Sequence, residues 1–152
     1  MGSVHVVAWR EGKVAIVKNK ERLLQNGRVK PAGWGLPSGR IREGETSFEA
    51  AARELREERN IFSAEIESTP IDVTVKSNGH IGVTFTAFVD PFEEIREPVF
   101  DPDGGVTDGA FIDPLTDLEE RNGRFYFQGE LFYSTHRTLI FMSVDPTGIL
   151  TR

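Results

Sequence analysis

The chain contains no cysteine among its 152 residues, which excludes a disulfide framework, a thiolate nucleophile and any Cys-ligated zinc or iron–sulfur centre. It also lacks an excess of base: 18 Lys and Arg stand against 24 Asp and Glu, for a formal net charge of -6. Proteins that coat nucleic acid need clustered cations, so general nucleic-acid binding is not expected, while a small phosphorylated ligand stays open. No apolar run is long enough to cross a bilayer, and the N-terminus has no basic stretch followed by an apolar one. The expectation is therefore no membrane association and a cytoplasmic location.

Several catalytic patterns are missing as well. Gly39 and Gly44 have the glycine spacing of a phosphate-binding loop, but Glu45 stands where that loop needs a lysine and would repel the phosphate. Asp101-Pro102-Asp103-Gly104-Gly105 begins like an EF-hand loop, yet its twelfth position is Ile112 instead of a bidentate Glu. His5, His80 and His136 are far apart with no metal-binding spacing, and read as core or surface residues. A serine-hydrolase elbow is absent.

With 38% hydrophobic and 28% charged residues, the chain has material for a core, and its length suits one domain over residues 1–152. Val4 to Trp9 and Val14 to Lys18 read as a hairpin around Glu11-Gly12-Lys13. Residues 18–30 carry five bases and one acid in an otherwise acidic chain and read as a basic loop. Residues 31–44 hold two prolines and four glycines, which excludes a helix or a long strand. Ala64 to Val75 and His80 to Val89 form an expected antiparallel pair around Asn78-Gly79, followed by an acidic loop from Asp90 to Asp103. Phe111-Ile112 is expected as a short strand, Pro114 to Glu120 as a short helix, Arg124 to Phe127 as a strand and Leu131 to Val144 as a second long helix.

The clearest helix follows the glycine-rich stretch. Thr46 is an N-cap with Glu49 three residues on to complete a capping box, Phe48, Ala51, Ala52 and Leu55 form an apolar stripe, and Asn60 suits the left-handed C-terminal cap. Glu54, Glu57 and Glu58 lie at i, i+3 and i+4, so three carboxylates share one helix face. Like charges so placed repel unless a cation bridges them, and an oxygen-only ligand set points to Mg²⁺ or Mn²⁺ instead of zinc. Arg53 is placed to fix a carboxylate by charge-assisted hydrogen bonds. Taken alone, the three glutamates fit a solvated acidic face better than a metal site.

The upstream spacing decides between the two. Gly39, Glu45, Arg53-Glu54-Leu55, Glu57-Glu58 and Asn60-Ile61 stand at the intervals of the Nudix box, with Asn60 for glycine as the single departure. A match this good arises by chance with a probability on the order of 10⁻⁵ at average residue usage. Trp34 to Gly39 also looks like the family's approach to the box, with Ser38 where glycine is usual. The chain thus resembles the Nudix hydrolases. The resemblance implies an α+β fold, an α/β/α sandwich with a mixed central sheet, and hydrolysis of a nucleoside diphosphate linked to another moiety. It implies Mg²⁺ or Mn²⁺ held by Glu57, Glu58, the backbone carbonyl of Ser38 and Glu54, with Glu54 or Glu57 as general base. Arg53 and Glu45 are then expected to hold the loop, with Gly39 at its turn, to the helix. A further acid from the later loop is expected among Glu94, Glu97, Asp101, Asp103 and Asp108. Phe85, Phe92, Tyr126, Phe127 and Tyr133 are the aromatics available to a nucleobase, and Lys18, Lys20 and Arg28 the bases available to phosphates. A non-catalytic nucleotide-binding module is the alternative, against which the retention of all three glutamates speaks; a prenyl diphosphate isomerase of this fold would need a cysteine. A homodimer is compatible with the sequence.

Overall fold

A computed structural model describes residues 1–24, 26–97 and 104–143. Strands β1 (Gly2–Arg10) and β2 (Lys13–Asn19) form the expected hairpin, with Trp9 opposite Val14. Its two-residue turn places Glu11 at φ 51° and Gly12 at φ 77°, the left-handed pair whose twist matches that of the strands. The basic segment is a small separate hairpin, β3 (Arg22–Leu23) with β4 (Val29–Lys30), instead of an irregular loop. The glycine-rich stretch supplies two short strands, β5 (Gly33–Gly35) and β6 (Ser38–Arg40), consistent with the exclusion of a helix there.

Helix α1 (Ser47–Arg59) has the expected ends: Thr46 Oγ1 accepts from the Glu49 N–H, Glu49 accepts from the Thr46 N–H, and Asn60 caps the helix at φ 56°, ψ 32°. Thr46→Ala is expected to cost about 1 kcal/mol of stability, read as a lowered denaturant midpoint at constant slope. The apolar stripe is rotated from its expected position. Ala50, Ala51 and Leu55 are buried, whereas Phe48 is 41% exposed and meets Phe85 edge-on. The rotation turns Arg53 and Glu54 inward.

The expected strand from Ala64 to Val75 is broken into β7 (Glu65–Ile66) and β8 (Asp72–Val75), both antiparallel to β9 (Ile81–Phe88). Pro70, between them, cannot donate to a ladder. Strand β10 (Val106–Ile112) extends further than Phe111-Ile112 because it pairs with β2 along its length. The helix expected over Pro114 to Glu120 does not form. Asp113 accepts from the Leu115 N–H and donates its own N–H to the Asp117 carboxylate, closing a turn, and Glu119 to Arg121 become β11 (Glu119–Arg121). It pairs with β12 (Arg124–Phe127), which pairs with β13 (Glu130–Phe132). Leu131 and Phe132 are therefore strand residues, and the second helix is α2 (Ser134–Met142), with Val144 outside the described residues.

Among the described residues the strands build a mixed sheet in which β1 runs parallel to β9 and antiparallel to β2 and β6. Alternation along β1 divides the core. Val4, Val6 and Ala8 pack with Ala50, Ala51 and Leu55 of α1 on one face, while Val7 and Trp9 pack with Ile140 of α2 on the other. This is the expected α/β/α sandwich. No helix among the described residues is long and apolar enough to cross a membrane.

Candidate active site

The site is assembled where α1 lies against β6. The Ser38 N–H donates to Glu58 Oε1 at 2.9 Å, and a Cβ on Gly39 would overlap the Glu54 carboxylate. Gly39 is thus the residue that lets Glu54 lie flush against the strand. Arg53 gathers the rest. Its Nε and Nη2 donate to Glu45 at 2.7 and 2.9 Å, its Nη1 to Glu54 at 2.7 Å and Glu57 at 3.3 Å, and its Nη2 also to the Arg40 carbonyl at 2.8 Å. Glu45 in turn accepts from the Arg42 N–H, and the Arg42 side chain lies 3.5 Å from Glu57. One guanidinium therefore ties the loop, the strand and the acidic helix face together, a use of its planar fork that an ammonium cannot reproduce.

Burial separates the carboxylates electrically. Desolvation pushes Glu54 up to about 7 against the opposing pull of Arg53, whereas the Arg53 hydrogen bonds hold Glu45 down at about 2. The signs of linkage are opposite. Relative to an unfolded value near 4.5, Glu54 favours the fold at acid pH and loses that contribution as pH rises from 4.5 through 7; Glu45 contributes fully above 4.5 and loses it as pH falls through 2. In metal-free protein, Glu54→Gln is expected to flatten the neutral limb of the stability–pH curve and Glu45→Gln the acid limb, measured as thermal midpoints across the range.

The structure brings Glu54, Glu57, Glu58, Ser38, Gly39, Arg53 and Glu45 together. Among the described residues, no three acidic or histidine side chains converge their donor atoms on one point; Arg53 stands among the glutamates as their counter-charge. The later-loop acids divide differently. Glu97 is the partner of Arg59, a fully buried side chain of α1, at 2.6 Å, so it serves to hold the loop. Glu94 is exposed, Asp108 Oδ1 accepts from the Gly109 N–H, and Asp101 and Asp103 lie outside the described residues. Asn60 reinforces the same seam by donating to the Arg96 carbonyl at 3.0 Å.

A cavity of about 490 Å³ is lined by Lys30, Pro31, Arg124, Leu131, Tyr133 and the first turn of α2 through His136. A line of contacts joins it to the site. Ser38 pairs with His5 across β6 and β1, the His5 ring meets the His136 ring edge-on at 4.8 Å, and His136 meets Tyr133 at 5.2 Å. His136 Nδ1 accepts from the Leu36 N–H at 2.9 Å, and burial holds this imidazole neutral. Burial together with Lys30 and Lys76 also lowers His5, to about 4. The charge of Glu58 acts on Lys30, whose ammonium lies 4.8 Å from the Tyr133 ring centre.

Of the aromatics available to a base, Phe85 and Phe127 are core, Phe92 is 90% exposed and the half-buried Tyr126 ring lies 5.5 Å from the Arg121 guanidinium; of the five, Tyr133 lines the cavity. Lys18 is taken by Glu130 at 2.7 Å. Lys30, Arg124, His5 and His136 were not singled out as site residues by their sequence context. The signal for His136 lay in Gly33 and Gly35, where any Cβ would overlap Tyr133 or His136.

Fold and site together define a domain that presents acidic side chains from a helix to a glycine-containing strand, next to an open cavity. The NUDIX domain family matches residues 3–131, and the chain belongs to it. Among solved structures it is similar to the NUDIX domain of Shewanella oneidensis NrtR complexed with ADP ribose, at 17% identity over 94% of this chain and 85% of that one, TM-score 0.62. It is also similar to the MutT NUDIX hydrolase of Burkholderia pseudomallei, at 20% identity over 94% and 97% of the two chains, TM-score 0.60. An ADP-ribose pyrophosphatase from Streptococcus suis aligns at 12% identity over 93% and 87%, TM-score 0.59. At these identities the likeness is one of fold. No curated protein matches the sequence.

Proposed function

We propose that the chain is a single Nudix domain over residues 1–152 that hydrolyses a pyrophosphate bond in a nucleoside diphosphate linked to another moiety, with Mg²⁺ or Mn²⁺. The observation that carries this reading is the packing of Glu54 and Glu58 onto Ser38–Gly39, one wall away from a cavity of nucleoside size. The donor set suits the cation. Glu54, Glu57, Glu58 and the Ser38 carbonyl are all oxygen donors, and Glu54 is a desolvated carboxylate only partly compensated by Arg53. A divalent cation held there supplies positive charge for pyrophosphate oxygens and lowers the pKa of a bound water.

The chain's own residues supply the rest. Glu54 or Glu57 takes the proton of the attacking water. Glu58 is fixed by the Ser38 N–H, and Arg53 with Glu45 holds the loop in register with the helix. Tyr133 offers a flat face to the non-reacting moiety and Lys30 a positive charge between that moiety and the glutamates. The ADP ribose held by the NrtR domain and the activity named for the Streptococcus suis protein make ADP-ribose a first compound to try.

The test is a Mg²⁺- and Mn²⁺-dependent hydrolysis screen over nucleoside triphosphates, ADP-ribose, nucleotide sugars, dinucleoside polyphosphates and capped RNA. On the substrate that turns over, Lys30→Ala is expected to raise KM with little change in kcat. Saturable binding of these compounds with no turnover of any would instead establish the ligand-binding module.

A further inference from the structure

Strand β8 is an edge strand. Among the described residues it pairs only with β9, through Asp72 to Thr84, Val73 to Val83, Thr74 to Gly82 and Val75 to Ile81. The Lys76 N–H donates to the His80 carbonyl at 2.9 Å. Antiparallel pairs alternate between bonded and non-bonded, so Thr74 faces β9 with its backbone groups while Val73 and Val75 turn theirs outward. The side chains of these two valines are 56% and 67% exposed, and Ile81, opposite Val75 on the same face, is 40% exposed. An uncovered strand of this kind is a template for another strand.

The sequence of the edge says which. In Asp72-Val73-Thr74-Val75-Lys76, an antiparallel copy centred on Thr74 sets Val73 against Val75, Thr74 against Thr74 and Asp72 against Lys76. In that register the outward amides and carbonyls of the valines bond across the seam. Asp72 and Lys76 fall at the non-bonded positions, where opposed side chains come closest. Both ends of the seam then carry an opposite-charge pair, four valines and two Ile81 side chains gather on one face, and the polar residues gather on the other. Asp72 already accepts from the Thr74 hydroxyl at 2.9 Å, which holds its carboxylate near the seam. A two-fold axis requires this self-complementarity, since the same patch must serve both partners.

We infer that β8 is a homodimer seam, where two copies of this chain join their sheets antiparallel about Thr74. Three readouts on the full chain test it. The wild type is expected to sediment as a concentration-dependent dimer. Asp72→Lys and Lys76→Asp, each of which puts like charges at both ends of the seam, are expected to weaken association on the order of tenfold, and the combination Asp72→Lys with Lys76→Asp to restore it. Because the chain has no cysteine, Thr74→Cys introduces a single thiol at the axis and is expected to oxidise rapidly to a covalent dimer; Thr116→Cys, at another exposed position, is expected not to. A wild type that stays monomeric up to its solubility limit overturns the inference and makes Asp72 and Lys76 guards of a solvated edge. A dimer indifferent to both charge reversals, or a Thr74→Cys chain that cross-links no faster than Thr116→Cys, overturns it in favour of another surface.

Discussion

Glu58→Gln is expected to lower kcat/KM for pyrophosphate hydrolysis by at least about 10²-fold, since loss even of partners that only orient metal ligands typically costs 10–100-fold. The fold is expected to stay intact. Glutamine keeps an Oε1 that can accept from the Ser38 N–H, which donates to Glu58 at 2.9 Å. It also removes one of three like charges at i, i+3 and i+4, each such pair being unfavourable by roughly 0.2–0.5 kcal/mol. The signature is therefore a large fall in activity with an unchanged or slightly raised thermal midpoint, measured on the same preparation. A packing residue would show the reverse, with stability and activity falling together. Retained turnover in Glu58→Gln and in Glu57→Gln would return the acidic helix face to a solvated surface and end the assignment.

What could be read from the sequence follows the range of the interactions involved. Both ends of α1 were legible because caps are local: Thr46 and Glu49 satisfy each other, and Asn60 takes the left-handed conformation at φ 56° that the box normally gives to glycine. The partnership of Arg53 with Glu45, eight residues away, was legible because the motif prescribes it. The second half was less so. Leu131 and Phe132 carry no helical or alternating signal of their own, and they become strand because β12 and β5 flank them. Pro114 to Glu120 offered a proline start for a helix, but two aspartates closed a turn first.

The cavity was hidden for the same reason. Its walls come from β4, β12 and α2, separated by roughly a hundred residues of chain, and only the third dimension brings Lys30, Arg124 and His136 together. The glycines marked a close approach without naming what approached. Arg59 is the sharper instance: an unspecified position of the box, occupied by a cation, looks solvent-facing in sequence, yet it is fully buried with Glu97 and beside the Phe111 ring. It anchors the acidic loop to the end of α1 through Glu97, one of the acids that the later loop offered as a candidate.

Arg53→Met is expected to be the most destabilising single change at the site, by about 3–5 kcal/mol, the usual cost of removing one partner from a buried ion pair. Such a loss is a large fraction of the roughly 5–15 kcal/mol that holds a typical domain together. Methionine retains the apolar stem but none of the donors, so Glu45, Glu54, Glu57 and the Arg40 carbonyl all lose a partner at once. The effect depends on pH in a direction the site dictates. Glu54 already sits at about 7 because burial outweighs the pull of Arg53. Without that pull it rises further, and the folded state must either hold a buried, unpaired carboxylate or bind a proton. Below the unfolded value the carboxyl is neutral in both states and the loss is smallest; it grows as pH rises past neutrality. Urea midpoints are thus expected to separate wild type from Arg53→Met more at about pH 8 than at about pH 5. Arg53→Lys restores a charge beside Glu54 but not the fork that reaches Glu45 and the Arg40 carbonyl together, so it is expected to recover the pH dependence more fully than the stability. Equal midpoint shifts at both pH values would mean that Arg53 acts through packing of its stem alone.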